Sequence, residues 1–216
     1  MSQDAPASRQ PRSRNRPGRE RILQAIRQAA IAEFSLQGFK GATTQEIARR
    51  AGLTKPQLHY YIAGKDELYL ELLHDVLAGW SAGVVFESDE HDARFVLTQY
   101  VRRKFEYAVA NPDLSRIFTR EIMDGGPNLG SYWPVAVASI RLKVERIDRW
   151  IAQGQMRALD ARMFLMHIWA MTQHYADYET QARVVLECPL PAPLPREPIV
   201  RELTELVLRG AGIAPE

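Results

Sequence analysis

The stretch from Thr43 to Leu68, TTQEIARRAGLTKPQLHYYIAGKDEL, constrains this chain more than any other. It has the pattern of two short helices joined by a sharp turn, with a third helix starting directly after. Thr44 is placed to cap the first helix, and Ile47, Ala48 and Ala51 supply its small apolar positions. Gly52 stands where the backbone must turn, and Leu53 plugs the angle between the helices. Thr54 caps the second helix, with Pro56 in its first turn, where a missing N–H costs nothing. Leu58 and Ile62, four apart, bury one face of that helix and leave Lys55, Gln57, His59 and Tyr60 pointing elsewhere. A face of amide, imidazole, phenol and ammonium groups suits the major groove of DNA and the phosphates beside it. An ordinary helical hairpin whose polar face meets water has the same local pattern.

Charge separates the two readings. Residues 1–65 carry 12 Lys and Arg against 4 Asp and Glu, whereas the rest carries 16 against 22, although the whole chain is only +2. A basic first third on an acidic body points to a polyanion partner for the N-terminal part. Here the basic segment coincides with the helix-turn-helix pattern, which favours double-stranded DNA.

At 216 residues the chain is long enough for one large domain or two small ones. Its longest apolar runs fall far short of a membrane span. The opening MSQDAPASRQPRSRNRPGR has no apolar stretch of the secretory kind, and its Ser, Pro, Gln and Arg cannot pack a core. Residues 1–17 are therefore expected to form a disordered basic arm. Cys188 is the single cysteine, which excludes an intramolecular disulfide and fits a reducing cytoplasm.

Beyond Lys65 the chain reads as successive helices. One is amphipathic from Lys65 to about Val85. Another opens at Ser88-Asp89-Glu90 and stops at Asn111-Pro112, and a short one ends at Met123. A long one covers about Leu129 to Gln153, and Asp160 caps another that reaches about Leu186. After the proline-rich connection, Cys188 to Pro198, a last helix runs from about Pro198 to Gly210. No stretch alternates with period two for long enough to make a sheet, so the expected class is all-α.

The catalytic inventory is thin. His167 and His174 are seven apart, too far along a helix for an i, i+4 metal pair, and no metal or other cofactor is expected. There is no glycine-rich phosphate loop, nucleophile elbow or carboxylate pair in an apolar setting, so an enzyme is the weaker hypothesis. Polar groups nevertheless sit on apolar helices of the C-terminal part. Trp169 and Gln173 lie one turn apart on one face, and a Trp plane beside a primary amide suits a flat heterocycle. Lys104 adds a cation suited to a carbonyl or enolate oxygen. From spacing alone a plainer reading prevails: Trp169 in the core, Gln173 in a helix–helix hydrogen bond, Lys104 in solvent.

The segment Arg21–Leu68 closely resembles the DNA-binding domain of TetR-family repressors. The likeness rests on the spacing of Phe34, Gly38, Phe39, Thr43, Ile47, Ala48, Ala51, Gly52, Leu58, Tyr60, Tyr61, Lys65 and Leu68. WAMTQHYADYETQ, YVRRKFEYAVANPDLSRIFTREIMDGGP and Trp80 resemble the pyrimidine-responsive regulators of that family. The resemblance implies a three-helix DNA-binding head over residues 18–64 and a larger helical effector-binding and dimerisation domain over 65–216. It implies DNA contacts by Thr43, Thr44, Thr54, Lys55, Gln57, His59, Tyr60 and Lys65. It also implies a uracil-like effector held by Trp80, Lys104, Trp169 and Gln173, and control of pyrimidine catabolism genes. The partner would be a two-fold operator bound by a cytoplasmic, nucleoid-associated homodimer, with the helix from Lys65 to Trp80 as the lever. Two alternatives stay open: a regulator of the same type with an apolar effector such as a drug or acyl compound, and a small helical enzyme acting on a nucleobase.

Overall fold

A computed structural model describes the backbone of residues 16–81, 86 and 91–214. The N-terminal arm up to residue 15, the expected end of the amphipathic helix near Val85, and Ser88-Asp89-Glu90 lie outside these residues. Among the described residues every regular element is a helix: α1 (Arg16–Gly41), α2 (Thr44–Arg50), α3 (Lys55–Tyr61), α4 (Lys65–Ser81), α5 (Ala93–Ala110), α6 (Pro112–Met123), α7 (Trp133–Ala152), α8 (Ala161–Asp177), α9 (Glu179–Val185) and α10 (Arg196–Gly210). The chain divides into two compact units, with the boundary between Leu68 and Tyr69. No helix among the described residues is long and apolar enough to cross a membrane.

The first unit closes over Ile26, Ala30, Phe34, Ile47, Ala48 and Leu58, all buried. Helix α1 bends at Gly38, whose φ of 69° and ψ of 177° take the chain out of helical geometry without a Cβ penalty. Gly52, at φ 71°, makes the tight turn between α2 and α3. The cap of α2 is Thr43 rather than Thr44: the Thr43 hydroxyl accepts from the Glu46 N–H at 3.1 Å, and Thr44 is already helical. Two adjacent threonines compete for that position, and the one with extended backbone wins. Buried Glu33 of α1 pairs with Arg50 of α2 at 3.2 Å, fixing the two helices against each other.

In the second unit α5 packs along α8 and α10. Val96, Leu97, Val101 and Phe105 of α5 meet Leu165 and Ile168 of α8, Val200, Leu203 and Val207 of α10, and Ile147 and Trp150 of α7. Burying such side chains at roughly 25 cal/mol per Å² is what holds these four helices together. Polar ties fix the neighbours. Asp177 at the end of α8 accepts from Ser115 at 2.6 Å and Thr119 at 2.7 Å, both on α6. Arg102 of α5 donates twice to Glu197 of α10, at 2.7 and 2.9 Å.

Four expected boundaries move. Helix α5 is capped by Asp92, which accepts from the Phe95 N–H, and α7 starts at Trp133, after turns that begin at Leu129. The helix expected to run to Leu186 breaks at Tyr178, where φ −114° and ψ 37° separate α8 from α9. Helix α10 begins at Arg196, two residues earlier than the proline suggested.

Candidate functional sites

Helices α2 and α3 present the first site. Leu58 is fully buried, and that anchor turns Lys55, Gln57, His59 and Tyr60 outward, with Tyr60 77% exposed. Thr54 and Gln57 form a reciprocal capping box, in which Gln57 Oε1 accepts from the Thr54 N–H at 2.8 Å and from its hydroxyl at 3.0 Å. The amide oxygen of Gln57 is therefore occupied inside the head, and only its NH2 faces outward. A bidentate donor–acceptor reading of adenine needs both ends, so Gln57 offers a donor to a base acceptor or a phosphate. Thr43 likewise uses its hydroxyl oxygen as a cap, while Thr44 is half-buried within α2.

Lys65 has partners within the head. Its ammonium donates to the carbonyls of Phe39 at 3.0 Å and Ala42 at 3.1 Å and lies 4.7 Å from the Phe39 ring centroid. It braces the C-terminal end of α1, whose last carbonyls have no helical partner. These two bonds use two of the three ammonium donors and leave the third for a phosphate.

The second site lies in the second unit, between α4, α5 and α8. Lys104 of α5 is only 7% exposed. Its Nζ sits 4.3 Å from the Trp80 ring centroid and 6.0 Å from that of Trp169. The solvent position of the plainer reading is thus wrong for Lys104. No carboxylate among the described residues pairs with it. Burial without a counter-ion, reinforced by the positive charge of Lys143 on α7, brings its pKa down from 10.5 to about 7. The indole faces supply the compensation that a carboxylate would otherwise give.

The surroundings were not evident from sequence. Trp169 donates its indole N–H to the Tyr100 hydroxyl at 2.6 Å, and burial pushes that phenol up to about 12. Phe118 of α6 meets Trp80 edge-to-face at 4.6 Å. The Trp80 indole N–H is buried without a hydrogen-bond partner. The half-buried Gln173 amide, one turn beyond Trp169 on α8, makes no hydrogen bond to a described group. The four residues Trp80, Lys104, Trp169 and Gln173 thus come from three helices. The two tryptophans flank one cation, and Gln173 follows Trp169 on the same helix face.

A cleft of about 790 Å³ lies elsewhere, lined among others by Phe95 and Arg102 of α5 and Thr204 and Leu208 of α10. Its lining mixes acidic and basic side chains, several of them already paired, and it shares none of the four residues. No group of three His, Cys, Asp or Glu side chains among the described residues is arranged to hold a metal ion.

A capped helix-turn-helix head with an outward polar face, joined to a larger helical unit, defines the class of helix-turn-helix regulators. Residues 26–72 match the family described as bacterial regulatory proteins, tetR family, and residues 73–214 match the YcdC-like protein, C-terminal region. The chain belongs to the TetR family and is a DNA-binding transcriptional regulator. It is 33% identical over 163 residues to the HTH-type transcriptional regulator RutR of Escherichia coli (strain K12), which covers 75% of this chain and 77% of that protein. It is 29% identical over 101 residues to the HTH-type transcriptional repressor SCO4008 of Streptomyces coelicolor, 47% of this chain and 50% of that one. Two solved structures show the same fold. A tetR-family regulatory protein from Rhodococcus RHA1 has a TM-score of 0.69 at 19% identity, covering 90% of this chain and 98% of its own. AibR, solved with isovaleryl coenzyme A and operator DNA, has a TM-score of 0.64 at 16% identity, covering 86% and 97%.

Proposed function

We propose that this regulator is a repressor of pyrimidine and nitrogen catabolism genes that senses a uracil-like pyrimidine through Trp80, Lys104, Trp169 and Gln173. The observation that carries the reading is the buried Trp80 N–H, which has no partner, beside the buried Lys104 ammonium, which lies 4.3 Å from the Trp80 ring and pairs with no carboxylate among the described residues. A buried polar group without a partner costs roughly 1–3 kcal/mol, and a ligand acceptor that reaches the Trp80 N–H removes that cost. A pyrimidine has the complementary set. Its carbonyl oxygens accept from Lys104 and Trp80, its N–H and neighbouring carbonyl pair with the Gln173 amide, and its ring stacks on indole. The unpaired cation weighs against a purely apolar drug or acyl effector, which would leave the Lys104 ammonium and the Trp80 N–H unsatisfied.

The same reading makes the protein a homodimer on a two-fold operator. Helix α8 carries an exposed stripe of Met163, Met166, Ala170, His174 and Tyr178, and α10 exposes Leu206. A second copy covering both helices forms a four-helix bundle. Lys55, Gln57, His59 and Tyr60 of each protomer then reach successive major grooves about 34 Å apart. Effector binding shifts the dimer between a geometry that fits this spacing and one that does not.

Isothermal calorimetry with uracil tests the effector. Gln173→Ala leaves the pyrimidine's paired N–H and carbonyl unpartnered and weakens binding by roughly 1–3 kcal/mol. Gln173→Leu is at least as harmful, and both variants keep operator affinity. Variants that bind uracil as tightly as the unaltered protein, or an unaltered protein that binds no pyrimidine, would defeat the assignment.

A further inference from the structure

Gly79, the chain neighbour of Trp80 on α4, faces the ring of Tyr107 on α5 at a distance that leaves no room for a side chain. A Cβ placed on Gly79 would lie 2.2 Å from Tyr107 Cζ and from its hydroxyl oxygen, and 2.3 Å from Cε2. Real Cβ atoms do not approach ring atoms so closely, so the phenol occupies the volume that a side chain at 79 would need. The Tyr107 hydroxyl also donates to the Asp75 carbonyl at 3.3 Å, one turn back along α4. Tyr107 is thus a knob seated in a notch of α4, held by a hydrogen bond on the same helix. Tyr107 lies one turn beyond Lys104 on α5, and Gly79 immediately precedes Trp80. The contact therefore fixes α4 against α5 beside the place where Lys104 meets the Trp80 face.

We propose that Tyr107, seated against Gly79, is a specificity-determining residue of the effector site: it sets the position of Trp80 and closes that end to anything larger than a single ring. The inference rests on the assignment of the effector site to Trp80, Lys104, Trp169 and Gln173. Rigid packing transmits the size of one side chain to its neighbours, because a filled core shifts rather than compresses. With the phenol in place, the space between α4 and α5 beside Trp80 is already occupied. On this proposal a one-ring pyrimidine stacks beside Trp80 without reaching Tyr107, whereas the second ring of a fused purine would meet the phenol.

The test uses the full-length protein and four forms: unaltered, Gly79→Ala, Tyr107→Ala and the double variant. The first readout needs no ligand. Gly→Ala inside a helix ordinarily stabilises, through helix propensity and a smaller unfolded-state entropy. Here Gly79→Ala must expel Tyr107, so it lowers the melting temperature; in the Tyr107→Ala background the same change raises it. A rise in both backgrounds, or a fall in both, overturns the knob-in-notch geometry. The second readout is calorimetry with uracil and xanthine. Gly79→Ala weakens uracil by about tenfold, as overpacking of this kind predicts. Tyr107→Ala gains xanthine binding that the unaltered protein lacks. If Tyr107→Ala binds uracil but still refuses xanthine, the size filter is wrong while the effector assignment stands. If no form binds either base, the effector assignment and the filter fall together, and the melting data alone decide the packing contact.

Discussion

Lys104→Met isolates a buried cation that has no counter-ion among the described residues. The ammonium is 7% exposed, has no carboxylate partner among the described residues, and is held only by indole faces. Its pKa falls from 10.5 to about 7 on burial. Between those values the unfolded chain holds a proton that the folded protein has released, so stability rises with pH across that window. Below about 7 both states are protonated and the slope vanishes, with the full burial cost in place. The gap corresponds to about 5 kcal/mol at 1.36 kcal/mol per pKa unit. The Trp80 face returns roughly 2 kcal/mol of this as a desolvated cation–π contact, which leaves ~3 kcal/mol. Methionine fills nearly the same volume with no charge to desolvate. Lys104→Met is therefore more stable than the unaltered protein by ~3 kcal/mol at pH 6. That is a melting-point gain of about 6–12 °C for a unit of this size, and the advantage shrinks towards pH 10. Urea unfolding at half-unit pH steps measures both curves. A variant less stable than the unaltered protein at pH 6, or a pH dependence unchanged by the substitution, would refute the burial argument. On the proposed effector reading uracil affinity moves the other way, because the variant cannot donate to a ring oxygen, and stability is gained where function is lost.

Two further outcomes test the assembly on DNA. Lys55→Ala weakens binding to all operators alike and reduces the salt-dependence slope by about one, read by mobility shift across a salt series; an unchanged slope removes Lys55 from the phosphate contacts. Sedimentation at micromolar concentration gives a dimer, since an obligate interface of this kind buries on the order of 2,000 Å² or more, and Met166→Glu on the exposed face of α8 converts it to monomer; a monomeric unaltered protein would end the two-fold operator model.

The head was legible because its signals are local. Thr54, Pro56 and Leu58 lie within five residues and their roles follow from helix geometry alone. The same locality misplaced the α2 cap, where Thr43 and Thr44 offer the same chemistry and only the backbone angles decide. The ties of Lys65 were hidden for a different reason: its carbonyl partners are 23 and 26 residues away, and a surface-type residue carries no sign of such a tie. The break at Tyr178 was hidden too. Asp177 is drawn to Ser115 and Thr119 on α6, and tertiary hydrogen bonds of that span override the helical pattern through Leu186. At the effector site the residue types were readable, but the phenol that holds Trp169 and the edge of Phe118 are contacts between distant helices. Sequence periodicity placed side chains on faces; it did not say which faces would meet.

The brace made by Lys65 has a mechanical consequence. One ammonium joins the first turn of α4 to the last carbonyls of α1, and Ala42, one of its two acceptors, directly precedes the Thr43 cap of α2. The start of α4 is thereby clamped to the corner where α2 begins, so these two points of the head share one fastening. Neutralising it, by Lys65→Met or by acetylation, unclamps both without altering any residue of the outward α3 face.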